Sequence, residues 1–161
     1  MILVPLVFIA IVVLFSMSIC IVKQGYARIV ERNGRYDRCL DSGIHMIVPF
    51  VDKVSPPISL KEDFMCIRNQ KITMRNGDVL NTDISVFFKI THPKLFKYGT
   101  ANTYGSLEML ANQVARSVML QYIPHEFIQK RELIYRDIMN KCNEATGAWG
   151  IKILRIEVTV V

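Results

Sequence analysis

The stretch LNTDISVFFKI, residues 80–90, alternates without a break. Leu80, Thr82, Ile84, Val86, Phe88 and Ile90 share one face of an extended chain; Asn81, Asp83, Ser85, Phe87 and Lys89 share the other. A period of two predicts a half-buried antiparallel strand. Before it, Asn76-Gly77-Asp78 reads as a hairpin turn back to residues 71–74, and His92-Pro93 ends it because proline turns the chain. Further on, the period becomes helical. Leu107, Leu110, Ala111, Val114, Val118 and Tyr122 form an apolar stripe opposite Glu108, Asn112, Gln113 and Arg116, limited by Pro124. A second helix is predicted from about Arg131 to Ala145, with Ile134, Ile138 and Cys142 in line and Gly147 just past its end. Residues 151–160 return to strand, with Leu154, Ile156, Val158 and Val160 on one face and Arg155, Glu157 and Thr159 on the other. Strands, then helices, then a strand make one α+β domain.

Toward the N-terminus, residues 26–31 read as a strand stopped by Asn33-Gly34, a pair suited to positive φ. Ser42-Gly43 is a second turn, and residues 54–67, with Pro56-Pro57, suit an edge or irregular strand. Between the turns and that strand lies GRYDRCLDSGIHMIVPFVD, residues 34–52, whose apolar run Ile44–Val51 invites a membrane reading. Eight residues fall far short of the roughly 17 a spanning helix needs. The run reads as a short buried strand or a loop core.

Hydrophobic residues make up 51% of the chain and the mean hydropathy is +0.26, with the excess in residues 1–22, MILVPLVFIAIVVLFSMSICIV, which carry no charged side chain. As a helix these would reach roughly 33 Å, enough to cross a hydrocarbon core of about 30 Å. No basic residue precedes the run and no small-x-small site follows it, which favours a permanent anchor over a signal peptide. A membrane-embedded hairpin kinked at Pro5 stays open. Lys23, Arg28, Arg32, Arg35 and Arg38 follow closely, so the positive-inside rule puts the rest of the chain in the cytoplasm. Cys20, Cys39, Cys66 and Cys142 have neither disulfide-framework nor zinc spacing. The net charge of +6 is scattered, with no basic run or aromatic-basic motif, and suits lipid head groups better than nucleic acid.

Catalytic constellations are missing from the sequence. It has no G-x-S-x-G, H-E-x-x-H, P-loop or G-x-G-x-x-G following a strand. His45, His92 and His125 lie far apart, and Glu62-Asp63 on an extended segment would point apart. The expectation is a binding surface or an assembly, with no catalytic residue, cofactor or metal.

Several short motifs occur in a fixed order. Val22-Lys23-Gln24-Gly25-Tyr26, Glu31-Arg32-Asn33-Gly34-Arg35-Tyr36, Leu40-Asp41-Ser42-Gly43-Ile44-His45 and Val48-Pro49-Phe50-Val51-Asp52 resemble the V-P-Q-G-Y, E-R-F-G-K/R-Y, L-x-P-G-L-H and I/V-P-F-I/V-D of stomatin-like proteins. Asp78-Val79 and Thr82-Asp83 fall where that family has D-N-V and its long strand, Arg116-Ser117-Val118 resembles its R-S-V, and residues 149–157 resemble W-G-I-K-V-x-R-V/I-E. The chain thus resembles, over residues 1–161, the SPFH (band 7) group of stomatin, prohibitin, flotillin, HflK and HflC, nearest to the bacterial stomatin-like QmcA, or paraslipin, type.

That resemblance implies a transmembrane helix over 1–22 and an SPFH domain over 23–161, with an antiparallel sheet and packed helices. It implies a scaffold of the cell (inner) membrane that forms a homo-oligomer or joins longer SPFH homologues, delimits microdomains and regulates neighbours. An NfeD-like membrane protein and an FtsH-type protease are its expected partners; the alternative role is regulatory subunit of such a protease. Lys23 and Arg28 are expected to meet head groups, and Gly43, Pro49, Phe50 and Asp52 to form the turn against the membrane. Lys23, Asn33 and Ser42 depart from the family's proline, phenylalanine and proline. After Glu157 the chain runs Val-Thr-Val-Val where relatives continue into a long Ala/Glu-rich helical region, so the expectation is a truncation or a short member.

Overall fold

The structure, a computed structural model, describes residues 18–160. The chain divides into two compact units, Met1–Leu60 and Lys61–Val161.

In the first unit β1 (Ile19–Val22) pairs antiparallel with β4 (Gly43–Met46). β2 (Tyr26–Arg32) pairs with β3 (Arg35–Leu40) and β5 (Asp52–Val54), and its first residues pair with β6 (Ile58–Ser59). The β2–β3 hairpin turns through Asn33 at φ 52° and Gly34 at φ 77°, the paired positive φ that a two-residue turn requires. Cys20, Val22, Val30 and Leu40 form the small core.

The expected helix over 1–22 is corrected at its C-terminal end. Residues 1–17 lie outside the described residues, but Ile19–Val22 are a strand whose alternating burial puts Cys20 and Val22 inward. β-branched residues at 19, 21 and 22 suit that strand, and β4 pairs with the backbone groups that face it. No helix among the described residues is long and apolar enough to cross a membrane. The apolar run 44–51 also divides: strand β4 ends at Met46, and residues 49–51 are turn.

The second unit is a three-stranded antiparallel sheet, β7 (Glu62–Thr73), β8 (Val79–Ile90) and β9 (Ile151–Val160), with three helices, α1 (Pro93–Tyr98), α2 (Thr103–Met119) and α3 (Pro124–Thr146). Strand β8 is central, and Thr82, Ile84, Val86, Phe88 and Ile90 are buried as the alternation requires. Leu107, Ala111, Ala115 and Val118 from α2 and Ile134, Ile138 and Cys142 from α3 join its core. Each large aliphatic side chain so buried contributes about 1.5–3 kcal/mol. Arg116 ties α2 to β7: its Nε donates to Asn112 Oδ1 at 3.0 Å and its Nη2 to Gln70 Oε1 at 3.4 Å, while Asn112 Nδ2 donates to the same Gln70 oxygen at 2.7 Å.

Four sequence readings are corrected or extended by the structure. Residues 54–67 are three strands, because Pro56-Pro57 interrupts the ladder. His92-Pro93 starts helix α1, with proline in its first turn, where a missing N–H is harmless. Helix α3 begins at Pro124, with Lys130 non-helical at φ −112° inside it, so the clean stripe starts only after that kink. In β9 Phe87 opposes Arg155 while Phe88 opposes Ile153, leaving Leu154 as an extra residue. That bulge flips the phase, so Ile151 and Ile153 are buried before it and Ile156 and Val158 after it.

The residue that stops the helical chain is Gly150, at φ 68°, whereas Gly147 is right-handed at φ −55°. The Gly150 carbonyl accepts from the N–H groups of Thr91 at 2.8 Å and His92 at 3.1 Å and from Thr91 Oγ1 at 3.1 Å. A Cβ on Gly150 would strike the His92 carbonyl oxygen, while one on Gly147 meets nothing within 4 Å. Gly150→Ala should therefore destabilise by on the order of 1–3 kcal/mol. Gly147→Ala should stabilise by about 0.4–1 kcal/mol. Urea unfolding followed by circular dichroism checks both, and equal midpoints would refute the distinction.

Candidate functional site

The alternation of β1 that buries Cys20 and Val22 turns Ile19 and Ile21 outward. Register then sets Met46 opposite Ile19 and Ile44 opposite Ile21, so four large apolar side chains share one face of the two-stranded ribbon. They are 46%, 66%, 74% and 62% exposed for Ile19, Ile21, Ile44 and Met46. Val48 and Phe50 extend the run into the next turn, with Phe50 at 86% exposure. Scattered apolar side chains are ordinary on a surface; a clustered face marks a site of interaction.

Phe50 also sits at φ 70°, a region that bulky residues avoid. The turn is held from both ends by Asp52. Its N–H donates to the Val48 carbonyl at 3.0 Å, and its Oδ2 accepts from the Val48 N–H at 2.9 Å. Arg32 lies opposite Asp52 in the β2–β5 ladder and donates from Nε to Oδ1 at 2.8 Å and from Nη2 to Oδ2 at 3.2 Å. Arg38 donates to the Met46 carbonyl at 2.8 Å and approaches Asp52 Oδ2 at 4.0 Å. The Asp52 side chain is 0% exposed. Its carboxyl is held down to about 2, first by the Arg32 hydrogen bond and then by the Val48 N–H, with the charges of Arg32 and Arg38 adding and burial opposing. A strained, exposed phenylalanine is thus fixed by an enclosed, charge-paired aspartate.

The residues singled out from sequence fall into two places. Pro49, Phe50 and Asp52 belong to this turn, Pro49 half-buried. Gly43, at φ 141°, opens β4 opposite Val22. Lys23 is exposed just past Val22, so one strand length, roughly 13 Å, separates it from the ribbon end that carries the Phe50 turn. Ser18 lies at the Phe50 end, accepting from the Ile47 N–H at 2.7 Å. Arg28 is half-buried, with Nη1 3.9 Å from Cys20 Sγ. Sequence reasoning missed Ile19, Ile21, Ile44 and Met46 as one face, and Arg32 as the partner of Asp52. Period-two apolarity hints at the first; only register shows the second.

Other chemistry-bearing groups are engaged structurally. His45 Nε2 is 2.8 Å from the Asp41 carbonyl, and His125 Nε2 is 3.0 Å from Gln129 Nε2. Burial pushes the Cys142 thiol up to about 12. Among the described residues no three His, Cys, Asp or Glu side chains are grouped to hold a metal ion.

Residues 20–161 match the family described as SPFH domain / Band 7. An uncharacterized protein of Mycobacterium tuberculosis is 29% identical over 157 residues, covering 94% of this chain and 41% of that protein. An uncharacterized protein of Methanothermobacter thermautotrophicus is 25% identical over 158 residues, covering 98% and 49%. Stomatin-like protein 2, mitochondrial, of Homo sapiens is 28% identical over 137 residues, covering 85% and 38%. The chain spans less than half the length of these curated relatives.

The Asp52 clamp has a definite pH signature. Its folded value lies below the ordinary 3.8, so its contribution is complete above 3.8 and is lost as pH falls through about 2. Asp52→Asn should remove that step from the stability–pH curve. Asp52→Ala should speed hydrogen exchange at the Val48 N–H at neutral pH; an unchanged rate would show that the carboxylate does not hold the turn.

Proposed function

Because the chain belongs to the SPFH domain / Band 7 family, we propose that it is a membrane-seated, non-enzymatic scaffold element that organises the proteins around it. One observation carries this: the exposed face of Ile19, Ile21, Ile44 and Met46, continued by Phe50. Bilayer lipid is the occupant that matches a ribbon of aliphatic side chains with an aromatic at its tip. Moving each such side chain out of water is worth about 1.5–3 kcal/mol when complete, so partial insertion of several suffices to hold the ribbon at the interface. The preformed turn spares Phe50 the cost of ordering on contact.

In this reading residues 1–17 enter the same membrane, and the basic residues from Lys23 onward keep the rest of the chain on the cytoplasmic side of the cell membrane. The scaffold works as a homo-oligomer or alongside longer SPFH homologues, and it restrains a membrane partner such as an NfeD-like protein or an FtsH-type protease. Mass measurement after mild solubilisation tests this part. A large homo-oligomer supports the scaffold, a stoichiometric protease complex makes the chain a regulatory subunit, and a stable monomer refutes assembly.

The seating has its own test. Trp149 is the single tryptophan, so Phe50→Trp in a Trp149→Phe background gives one reporter. In vesicles containing brominated lipid its emission should be blue-shifted and quenched; emission of fully water-exposed tryptophan would end the proposal. Reversing the charges of Lys23 and Arg28 should disturb the orientation, read by cysteine accessibility, and an unchanged pattern would remove their head-group role.

A further inference from the structure

The outward face of the sheet in the Lys61–Val161 unit departs from the rule its alternation sets up. The helices pack on the side that carries Ile84, Val86, Phe88, Ile153 and Ile156. An antiparallel sheet covered on one face ordinarily shows polar side chains on the other. Here Phe64, 65% exposed, stacks with Phe87, the ring centroids 6.1 Å apart and the planes 29° from parallel. Arg155 lies over the Phe87 ring at 4.2 Å from its centroid. Register puts the three in one row across the sheet, Phe64 on β7, Phe87 on β8 and Arg155 on β9. Aromatic and arginine side chains are the types that protein interfaces concentrate at their centres.

The rows on either side carry charge in a pattern. One is Glu62, Lys89 and Lys152, the other Cys66, Ser85 and Glu157, each in the order β7, β8, β9. Glu62 and Lys152 are exposed and form no ion pair among the described residues. Two strand spacings, roughly 10 Å, separate them, with Lys89 between. A two-fold axis along β8 would exchange β7 with β9 across a sheet-on-sheet contact. Glu62 then meets Lys152 of the second copy and Phe64 meets Arg155 of the second copy, each twice because such a contact is isologous. Lys89, close to the axis, is flanked by the Glu62 carboxylates of both copies, and uncharged Cys66 meets Glu157. A foreign partner would need its own acidic and basic groups in this arrangement; a second copy carries them already.

We propose that this face docks on the same face of a second copy, forming a dimer with its axis along β8 and Phe64, Phe87 and Arg155 at its centre. The proposal rests on the homo-oligomer part of the scaffold reading and names one of its contacts. Aligned sheets pack about 10 Å apart, which lets these side chains interdigitate. Arg155, held by Glu157 with Nε 3.3 Å from Oε1, presents its guanidinium to the facing Phe64 ring. A face three strands wide is small, so the contact is of the weak, reversible class. Seating many copies in one membrane raises their effective concentration, which makes a weak contact sufficient.

Sedimentation of the full chain in mild detergent across a concentration range reads the contact. A reversible step that doubles the mass is expected. Phe64→Ser, Glu62→Lys and Lys152→Glu, all at exposed positions, should each weaken it by about tenfold or more, with circular dichroism confirming that they fold. Complementation between variants is the sharper test. Glu62→Lys makes both contact positions basic and Lys152→Glu makes both acidic, so each variant repels its own kind. An equimolar mixture of donor-labelled Glu62→Lys and acceptor-labelled Lys152→Glu should associate as tightly as the wild type, read by energy transfer. The two positions are not neighbours within one chain, so only contact between copies produces this rescue. An oligomer that the single variants leave intact, or a mixture no tighter than its components, would overturn this face and leave the scaffold reading in place. A stable wild-type monomer would overturn both.

Discussion

The inward face of β8 is the constraint on which the second unit depends. It is the central strand; Thr82, Ile84, Val86, Phe88 and Ile90 are all buried, and Ile84, Val86 and Phe88 share one core with side chains of both neighbouring strands and the helices. A shift of one residue in its register would turn every one of them to solvent, and that penalty fixes the pairing. Both bulges sit in the outer strands, between Ile67 and Gln70 in β7 and at Leu154 in β9. The central strand stays regular while its partners adapt to it.

The first unit follows a different logic. Its core cluster is small, Cys20, Val22, Val30 and Leu40, and Ile19, Ile21, Ile44, Met46 and Phe50 stay exposed outside it. The Arg32–Asp52 pair compensates by fixing a turn that its own residues resist, with Phe50 at positive φ. Strain of this kind persists only where the surroundings over-determine it. Here the surroundings are one enclosed carboxylate with donors on two sides. That the strained residue is also, among the described residues, the most exposed large apolar side chain links the backbone argument to the proposed lipid contact. The β1–β4 ribbon offers a row of apolar side chains, the chemistry proposed above to meet lipid.

The sequence by itself determined the α+β class, the strand around residues 80–90, the helical stripe of Ile134, Ile138 and Cys142, and the family, because period and motif spacing are local properties. The turn at residues 48–52 was legible as a unit through its Pro-Phe-Val-Asp signature. Its mechanism was not, since Arg32 lies twenty positions from Asp52 and only register brings them together. The strand Ile19–Val22 was hidden for a related reason: apolar β-branched residues fit a membrane helix and a strand equally well, and the pairing with β4 decides between them. The reversed phase of β9 came from a bulge, which adds a residue without any mark in composition. Local preference chose the elements; long-range hydrogen bonding chose which faces they show to the outside.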